Sequence, residues 1–511
     1  MASPAAAGTA APVFASRPSG ALRFRPRGRW DDSIPPTLRP LVRAYLLGYA
    51  SAVTPRLLTL LLQHLTRWEQ AKKQGKHDSE QQQKQQTGDP FSKALERILH
   101  GGLDPRRFPT FCAALVGGST LLEAPFMVAL DKLPASLSDA ARKRLSRWFA
   151  CFVAAWLSLR LLQSKQSPGF TENGPIPSAE PPGVAYQTTR YAGRTLDLTL
   201  FAFTRAVDVV TGELWSRRRA KRQAAGRWTA LEAAVSRLTD PAIFALSSGL
   251  IMWTWIYLPS RLPRSYNKWI GSAAAVDPRL IEALQRCRTG ELIYGQETGQ
   301  ASLLGGMCDD YNWPRSWGDP AVSVPFPCEM VHMGTGPSCE LHALSRFGRS
   351  FRWAMATYLP LNLLLALRNP NRAALRRALI SSSRSSAFLG AFIALFYYGV
   401  CLARTRVGPR IVGTDPKARQ CIDGGICVGT GCFLCGWSIL LENAGRRKDM
   451  ALFVAPRALA SLLPRRYPWD KQWRETVVFA SSTAIVFTCV AENKSRVRGV
   501  LGKVLGSVLT P

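Results

Sequence analysis

Long stretches without charged residues alternate with polar, mostly basic segments along this chain of 511 residues. Three stretches contain at least 18 residues without Asp, Glu, Lys or Arg, namely Pro241–Ser260, Ser385–Ala403 and Gly424–Leu441. A helix needs about 20 apolar residues to cross the hydrocarbon core of a bilayer, which is about 30 Å thick. These stretches therefore predict membrane-spanning helices.

Shorter apolar segments extend the same pattern. They are Phe108–Leu122, Trp148–Leu159, Trp353–Leu367 and Thr476–Ala491, which have no charge, and Leu41–Leu62 and Thr195–Leu214, which contain arginines. The alternative is a set of buried helices in a large soluble protein. Arg384 and Arg404 flank one charge-free run, and Trp253, Trp255 and Tyr257 lie near the end of another. Basic and aromatic residues are enriched at membrane interfaces. The pattern favours an all-α, polytopic helical membrane protein.

The chain also contains an internal repeat. The segment Ala192–Ala206 recurs as Ala444–Ala458, with eight of 15 positions identical. An apolar segment with a similar core follows each copy, Phe244–Ser248 in the first and Phe479–Ser482 in the second. Upstream apolar segments match in the same order. We predict two tandem repeats of about five helices each, and an odd number of crossings would invert one repeat relative to the other.

Composition shifts divide the chain into regions. They are a disordered basic arm (1–35), a first membrane repeat (36–262), a Cys/Gly/Pro-rich extramembrane linker (263–345), a second membrane repeat (346–495) and a basic C-terminal tail (496–511). Gln-rich or Pro/Gly/Ser-rich composition predicts inserts at 68–95 and 164–190. A basic loop is predicted at 215–240.

The charge balance is strongly basic, since 66 Lys+Arg against 34 Asp+Glu give +32. With 47% hydrophobic residues, the composition excludes a disordered protein, a collagen and a small disulfide scaffold. One cluster without acids consists of Arg217, Arg218, Arg219, Lys221, Arg222 and Arg227. No aromatic platform or zinc-finger spacing accompanies it, so we expect membrane lipids, and no nucleic acid, as its partner.

Charged residues also lie within the repeated apolar segments. They are Arg194, Asp197, Arg205, Arg446, Asp449 and Arg457. A charge at the centre of a bilayer costs about 2.5–3.5 kcal/mol, so these side chains should face the bundle interior and pair. One interpretation is a polar path or substrate site between the two halves. The other is a structural ion-pair clamp, or an interfacial helix whose arginines reach the headgroups.

Small residues predict close helix packing in both halves. Gly425 and Gly429 are four residues apart in one apolar run, and Ala113 and Gly117 have the same spacing in another. Small residues at this spacing let two helix backbones approach. The glycines form neither a Gly-x-Gly-x-x-Gly motif nor a Walker A motif, so a nucleotide site is not expected.

The linker ends in a block of two thiols and two imidazoles, Cys328, His332, Cys339 and His342. These four side chains are chemically adequate for tetrahedral zinc, although their order is not a common finger spacing. A disulfide or unliganded thiols are the alternatives. We expect no cofactor, with zinc at this block as the exception.

The same block resembles the cysteine-rich region of the transmembrane protein 135 family. The resemblance rests on Cys328 to Pro337-Ser338-Cys339, on Tyr358-x-Pro360, on Phe388–Phe392 and on the Gly-rich segment 424–441. It covers residues 325–495, and that half is also distantly similar to translocase subunits of the mitochondrial inner membrane and their peroxisomal relatives. It implies a peroxisomal or mitochondrial membrane, a role in organelle dynamics and fatty-acid or sterol handling, and no catalytic residues.

Two functions from different classes follow. The first is a non-enzymatic, integral organelle membrane protein that supports peroxisomal or mitochondrial organisation and lipid metabolism, in contact with organelle membrane proteins or a second copy of itself. The second is a transporter or pore that uses the duplicated Arg/Asp set. The chain has no recognisable Ser/His/Asp set and only five histidines, so an enzyme is not expected.

Overall fold

The computed structural model describes residues 31, 33–73, 91–132, 138–175, 186–367 and 370–509. Within these residues the protein is almost entirely helical, so the all-α prediction is confirmed. Most of the basic arm, most of the insert at 68–95 and part of the insert at 164–190 lie outside the described residues.

The helices follow one another closely along the chain. The first half forms α1 (Arg39–Lys73), α2 (Phe91–Leu103), α3 (Phe108–Leu121), α4 (Glu123–Asp131), α5 (Asp139–Gln163), α6 (Leu196–Ala224), α7 (Ala230–Tyr257) and α8 (Arg264–Ala274). The second half forms α9 (Pro278–Thr289), α10 (Ala301–Asp310), α11 (Cys328–Val331), α12 (Cys339–Ala366), α13 (Arg372–Leu402), α14 (Gly408–Ile411), α15 (Pro416–Cys421), α16 (Cys427–Cys435), α17 (Ala444–Leu462), α18 (Gln472–Glu492) and α19 (Gly499–Leu509). Short π and 3-10 turns extend α15 and α16 into one continuous helical segment.

Polar residues at the expected positions start several helices. Ser138 caps α5 and Ser338 caps α12, each accepting a hydrogen bond from a backbone N–H three residues later. Asn371 caps α13 in the same way. Helix α7 begins with a reciprocal capping box between Thr229 and Glu232. Such caps satisfy backbone donors that the first turn of a helix leaves free.

Five helical segments in the described part of the chain are long enough and apolar enough to cross a membrane. They are Phe91–Asp131, Asp139–Gln163, Arg372–Ile411, Pro416–Leu441 and Trp469–Glu492. These segments indicate an integral, multi-pass membrane protein. Helices α1, α6, α7, α12 and α17 are of similar length or slightly shorter but are not among these five segments.

The long helices pack in a continuous series. Its order is α1, α3, α5, α18, α6, α17, α7, α16, α13 and α12, with each helix in contact with the next. The series does not follow the chain order, because α18 lies between α5 and α6 while α7 lies between α17 and α16. The last long helix of each half of the chain thus packs between helices of the other half.

Contacts near the helix ends give the relative directions. Gln163, at the end of α5, contacts Thr195 just before α6 and Thr476 near the start of α18. Arg144, near the start of α5, pairs with Glu492 at the end of α18. Helices α5 and α18 are therefore antiparallel, and α18 runs parallel to α6.

The other pairs are assigned in the same way. Antiparallel contacts are Leu41–Gly117 and Gly48–Cys112 (α1 with α3), Gly118–Ala154 and Glu123–Ser146 (α3 with α5), Ala245–Gly436 and Trp253–Gly425 (α7 with α16), Ser385–Glu442 and Arg404–Asp423 (α13 with α16), and Phe347–Gly390 and Asn362–Ser382 (α12 with α13). Helices α6 and α17 are also antiparallel, as described below, whereas α7 and α17 are parallel, with Arg261 beside Ser461. The long helices therefore alternate in direction along the chain. Helices α1, α5, α7, α13 and α17 run one way, and α3, α6, α12, α16 and α18 run the other way.

Two sides of the bundle result. The N-terminal side carries the start of α1, the junction of α6 with α7, and α19. The linker side carries residues 263–338 and three short antiparallel strands, β1 (Thr171–Pro175), β2 (Tyr186–Ala192) and β3 (Tyr467–Pro468). Strand β3 comes from the second half and pairs with β2, with Ala192 opposite Tyr467.

Two predicted regions have more helix than expected. The basic loop at 215–240 is helical except at 225–229, because its Lys and Arg residues are good helix formers and the capping box starts α7 there. The C-terminal tail at 496–511 contains α19, an apolar helix that packs on the bundle. The linker has its own buried core, which includes Leu292, Leu304 and Met307.

Candidate functional site

The duplicated charged residues connect α6 with α17, one helix from each half. The Asp197 carboxylate pairs with Arg457 at 2.8 Å and with Arg465 at 3.1 Å. At the other end of this contact, Arg205 lies near Asp449, which accepts a hydrogen bond from the Val500 backbone N–H at 3.2 Å. An aspartate of each half thus lies near the arginine of the other half.

The two remaining arginines lie apart from these pairs. Arg194 donates a hydrogen bond to the backbone carbonyl of Lys165. Arg446 donates to the hydroxyls of Ser381 and Ser385 on α13, at 2.6 and 2.7 Å. Of the six residues, only Asp197, Arg205, Asp449 and Arg457 therefore form contacts at opposite ends of the α6–α17 interface, which is an arrangement suited to joining the two halves.

A second group of charges on the N-terminal side was missed in the sequence. The Arg498 guanidinium contacts Asp208 on α6 and Asp240 on α7, the latter at 3.2 Å. Burial lowers the pKa of Arg498, but the two carboxylates outweigh this effect and the pKa is raised. Residues about 260 to 290 positions apart meet here, so no local pattern could have indicated the contact.

An apolar cavity of about 420 Å³ lies among α1, α3, α6, α18 and α19. Phe111, Leu115, Phe201 and Leu505 are among its lining residues, which are almost all apolar. Arg205 also lines it and is only 6% exposed. Among the described residues, the Nε of Arg205 is a buried donor without a hydrogen-bond partner. A donor of this kind is costly unless a ligand or a water accepts its hydrogen bond.

A buried ion pair joins α13 to the segment that leads into α16. Arg404 donates two hydrogen bonds to Asp423, at 2.7 and 2.9 Å, and both side chains are at most 5% exposed. The Tyr294 hydroxyl of the linker donates to the same carboxylate at 2.6 Å. Burial raises the pKa of Tyr294 well above its usual value, and the Asp423 charge adds to the effect. The pair therefore also fastens the linker to the bundle.

The structure brings together three of the four residues in the predicted Cys/His block. Three potential ligand atoms lie within 4.8 Å of one another, one from each of Cys328, His332 and Cys339. His342 is outside this group, because its ring stacks on His332 with 4.5 Å between centroids. The thiol of Cys401 on α13 is not a member of this group either, but its Sγ lies 3.3 Å from His332 Nε2.

The predicted packing residues differ in how closely they approach a neighbour. A side chain at Gly117 would overlap Leu41 of α1, and Ala113 is buried in α3. A Cβ at Gly425 would lie 2.9 Å from Arg288, whereas one at Gly429 would have no neighbour within 3.7 Å. Closer contacts to a neighbouring helix backbone occur at other glycines. They are Gly399 with Gly431, and Gly436 with Ala245.

Comparison with known proteins gives no match. No family model matches the chain, and neither the curated proteins nor the solved structures contain a significant match. Proposals about its role therefore start from its own residues, its packing and the resemblance described above.

Proposed function

We propose that this chain is a non-enzymatic, integral organelle membrane protein. It binds a lipid between its helices, and this lipid is a fatty acid or a sterol. The observation that carries the proposal is the apolar cavity that Arg205 lines. Its volume of about 420 Å³ falls within the range of roughly 300–1,000 Å³ that is usual for small-molecule sites.

The polar group in the cavity favours a lipid with one polar end. Asp208 and Asp449 lie near Arg205 and compensate part of its charge. What the guanidinium still offers is the Nε donor, which a carboxylate, a carbonyl or a hydroxyl of the lipid can accept. The apolar remainder of the lipid would occupy the space between Phe111 and Leu505.

We also propose that the two halves of the chain are inverted repeats, and their short helices support this. Helix α8 follows α7 as α19 follows α18, and both short helices have 11 residues. They begin at Arg264 and Gly499, and 499 − 264 = 235. The repeated segments Phe244–Ser248 and Phe479–Ser482 have the same separation, since 479 − 244 = 235. We propose that ten helices cross the membrane, five in each half.

The two halves would have different tasks. Helix α19 supplies Leu501, Val504, Leu505 and Val508 to the cavity wall. Its counterpart α8 packs instead against other apolar core residues, through Ile270 and Ala273. The helices of the first half, together with α18 and α19, would hold the lipid. The other helices of the second half would pack against this lipid-binding part.

Lipid binding can be tested on the purified full chain with photoactivatable palmitate and cholesterol probes. We expect one of them to label residues of the cavity, and Arg205→Gln and Leu505→Trp each to reduce labelling about tenfold, because one removes the donor and the other fills the space. Arg217→Gln and Leu214→Trp change exposed positions of α6 and serve as matched controls. Equal labelling of all five proteins would contradict the proposal.

The membrane in which the protein resides belongs to the same proposal. The resemblance favours peroxisomes or mitochondria, with membrane lipids, organelle membrane proteins or a second copy as partners. A fluorescent fusion imaged beside markers of both organelles should coincide with one of them. A signal confined to other membranes would contradict the assignment.

A transporter or pore is the second candidate. The antiparallel halves with exchanged last helices favour it, since transporters commonly use inverted repeats. The test is solute flux in liposomes with variants of Asp197 and Asp449. A flux that these variants abolish in folded protein would support transport, whereas failure to fold would support a structural clamp.

A further inference from the structure

The geometry points to a zinc site with three cysteine ligands and one histidine ligand, Cys328, His332, Cys339 and Cys401. Three of them come from the end of the linker and the start of α12, and the fourth comes from α13, 62 residues after Cys339 (401 − 339 = 62). This site is independent of the lipid cavity, which lies in the other half of the bundle.

The distances fit a single tetrahedral ion. Zinc binds thiolate sulfur at about 2.3 Å and imidazole nitrogen at about 2.1 Å, so neighbouring ligand atoms lie about 3.5–3.8 Å apart. Nε2 of His332 and Sγ of Cys401 are 3.3 Å apart. The ligand atoms of Cys328, His332 and Cys339 are within 4.8 Å of one another, and the Cys401 thiol is also close to the Cys339 thiol. Small side-chain adjustments would bring all four to one ion.

The surroundings of His332 already hold its ring as a ligand. Its Nδ1 lies 2.6 Å from the carbonyl oxygen of Gly336, which makes Nδ1 the protonated nitrogen and leaves Nε2 free to bind. The loop that returns to this carbonyl turns through Met333, Gly334 and Gly336, all at positive φ. Metal-binding histidines usually donate their second N–H in this way.

The charge at the site is also consistent with thiolates. Three thiolates and one Zn²⁺ have a net charge of −1, and burial makes an uncompensated charge costly. The Arg404 guanidinium lies close enough to Cys328 and Cys401 to interact electrostatically with a thiolate at either position. Its Nη1 is buried and has no hydrogen-bond partner within the described ranges. Because Asp423 already pairs with Arg404, what Arg404 offers the proposed site is this Nη1 donor rather than an unpaired charge.

Four protein ligands leave no open position, so the ion would be structural. It would fasten the loop at 328–339 to the end of α13, beside the Arg404–Asp423 pair. His342 would support the site through its stacked ring without binding the metal.

The first test is metal analysis of the full chain, purified in detergent with a non-histidine tag. We expect about one zinc ion per chain and, after cobalt substitution, the thiolate-to-cobalt charge-transfer band of a tetrahedral site with three sulfur ligands. After chelation of the metal, alkylation mapped by mass spectrometry should newly modify Cys328, Cys339 and Cys401. These measurements need no variant. Absence of zinc together with absence of the cobalt band would overturn the proposal, as would recovery of Cys328 and Cys339 as a disulfide.

Variants then distinguish the ligand sets. Cys401→Ser should weaken zinc binding by roughly 100-fold or more in competition with a chromophoric chelator. His342→Gln should leave the zinc content unchanged, as should Cys421→Ser, which changes an exposed cysteine near the same segment. Loss of zinc in His342→Gln with retention in Cys401→Ser would refute the assignment of Cys401.

Discussion

At the level of single residues, a buried ion pair and a tyrosine hydroxyl connect α13, the segment before α16 and the linker. Arg404 and Asp423 compensate each other in an apolar environment, and Tyr294 satisfies a further lone pair of the carboxylate. A buried pair of this kind is weak evidence for high stability, but removal of one member leaves the other charge without a partner.

We therefore expect Asp423→Ala to lower the free energy of unfolding by about 3–5 kcal/mol, because Arg404 would remain charged and buried. Tyr294→Phe should cost less, about 1.5–3 kcal/mol, since it removes one hydrogen bond to a carboxylate that Arg404 still compensates. Unfolding of the detergent-solubilised protein measures both values. Tyr311→Phe is the control, because Tyr311 is 38% exposed, and it should change stability by less than about 0.5 kcal/mol. Equal effects of the three variants would contradict this account.

The pairs between α6 and α17 permit a second prediction. Asp197 contacts two arginines, Arg457 and Arg465, whereas Arg457 pairs with Asp197. Asp197→Asn should therefore destabilise more than Arg457→Gln, and the double variant should show a coupling of about 1 kcal/mol. A double-mutant cycle in thermal unfolding gives this value, with Asp470→Asn as the exposed control. Additive effects would mean that the pair does not join the halves.

Residue-level chemistry could be predicted from the sequence only where it was local or repeated. The duplicated Arg/Asp positions were recognised because the repeat marks them, and three cysteine and histidine residues were recognised because they lie within 12 positions of one another (339 − 328 + 1 = 12). Cys401 lies inside an apolar run, where a thiol resembles any small apolar side chain. Only the antiparallel packing of α12 on α13 brings it to the block.

At the level of elements, α16 approaches α7 and α13 closely where two glycines or a glycine and an alanine meet. A Cβ added at Gly436 would lie 2.4 Å from the Ala245 Cα of α7, and one at Gly399 would lie 2.8 Å from the Gly431 Cα. Backbone atoms cannot move aside as a side chain can, so the helices themselves would have to separate.

Gly436→Ala and Gly399→Ala should each destabilise the protein by about 1–3 kcal/mol through this overpacking. Gly445→Ala is the matched control, because a Cβ at that helical position meets nothing within 4 Å and alanine favours the helix. Thermal unfolding in detergent measures the three variants. If Gly436→Ala were as stable as Gly445→Ala, the close α7–α16 contact would be wrong.

The elements themselves were largely predictable, because apolar runs and caps are local signals. The additional helix at 215–240 and 496–511 has one cause. Basic residues were taken as evidence for a loop or a tail, although Lys and Arg are good helix formers and their long stems can cover apolar surface. The apolar positions of α19, such as Leu501 and Leu505, lie between glycines, which disfavour a helix.

At the level of the whole molecule, the alternating directions of the helices imply a topology. Ten crossings would place both chain termini on one side and the linker on the other. The basic segments at 142–147, 217–227 and 372–377 all lie on the N-terminal side. Since basic residues are retained on the side of synthesis, this side should face the cytosol or the matrix in which the chain is made.

Reporter tags can test this topology. A tag fused after Pro511 and a tag fused before Met1 should have the same accessibility in sealed organelles, and a tag inserted after the exposed residue Val322 should have the opposite one. Protease protection with and without detergent gives the answer. Opposite accessibility of the two termini would require an odd number of crossings and would exclude five in each half.

The order of the series could not have been predicted from the sequence. The repeat indicated two similar halves, but nothing local indicates that α7 and α18 exchange places. That exchange depends on contacts such as Gly436 with Ala245, between residues almost 200 positions apart.

The exchange also affects how the chain can assemble while it is being made. Helices α5 and α6 are complete at Ala224, but the helix that separates them begins only at Gln472, 248 residues later (472 − 224 = 248). At a translation rate of about 5–20 residues per second, the surfaces of α5 and α6 that later contact α18 remain uncovered for roughly 12–50 s. During that interval the nascent first half presents an open cleft, which a chaperone or an insertase would have to protect from other nascent chains.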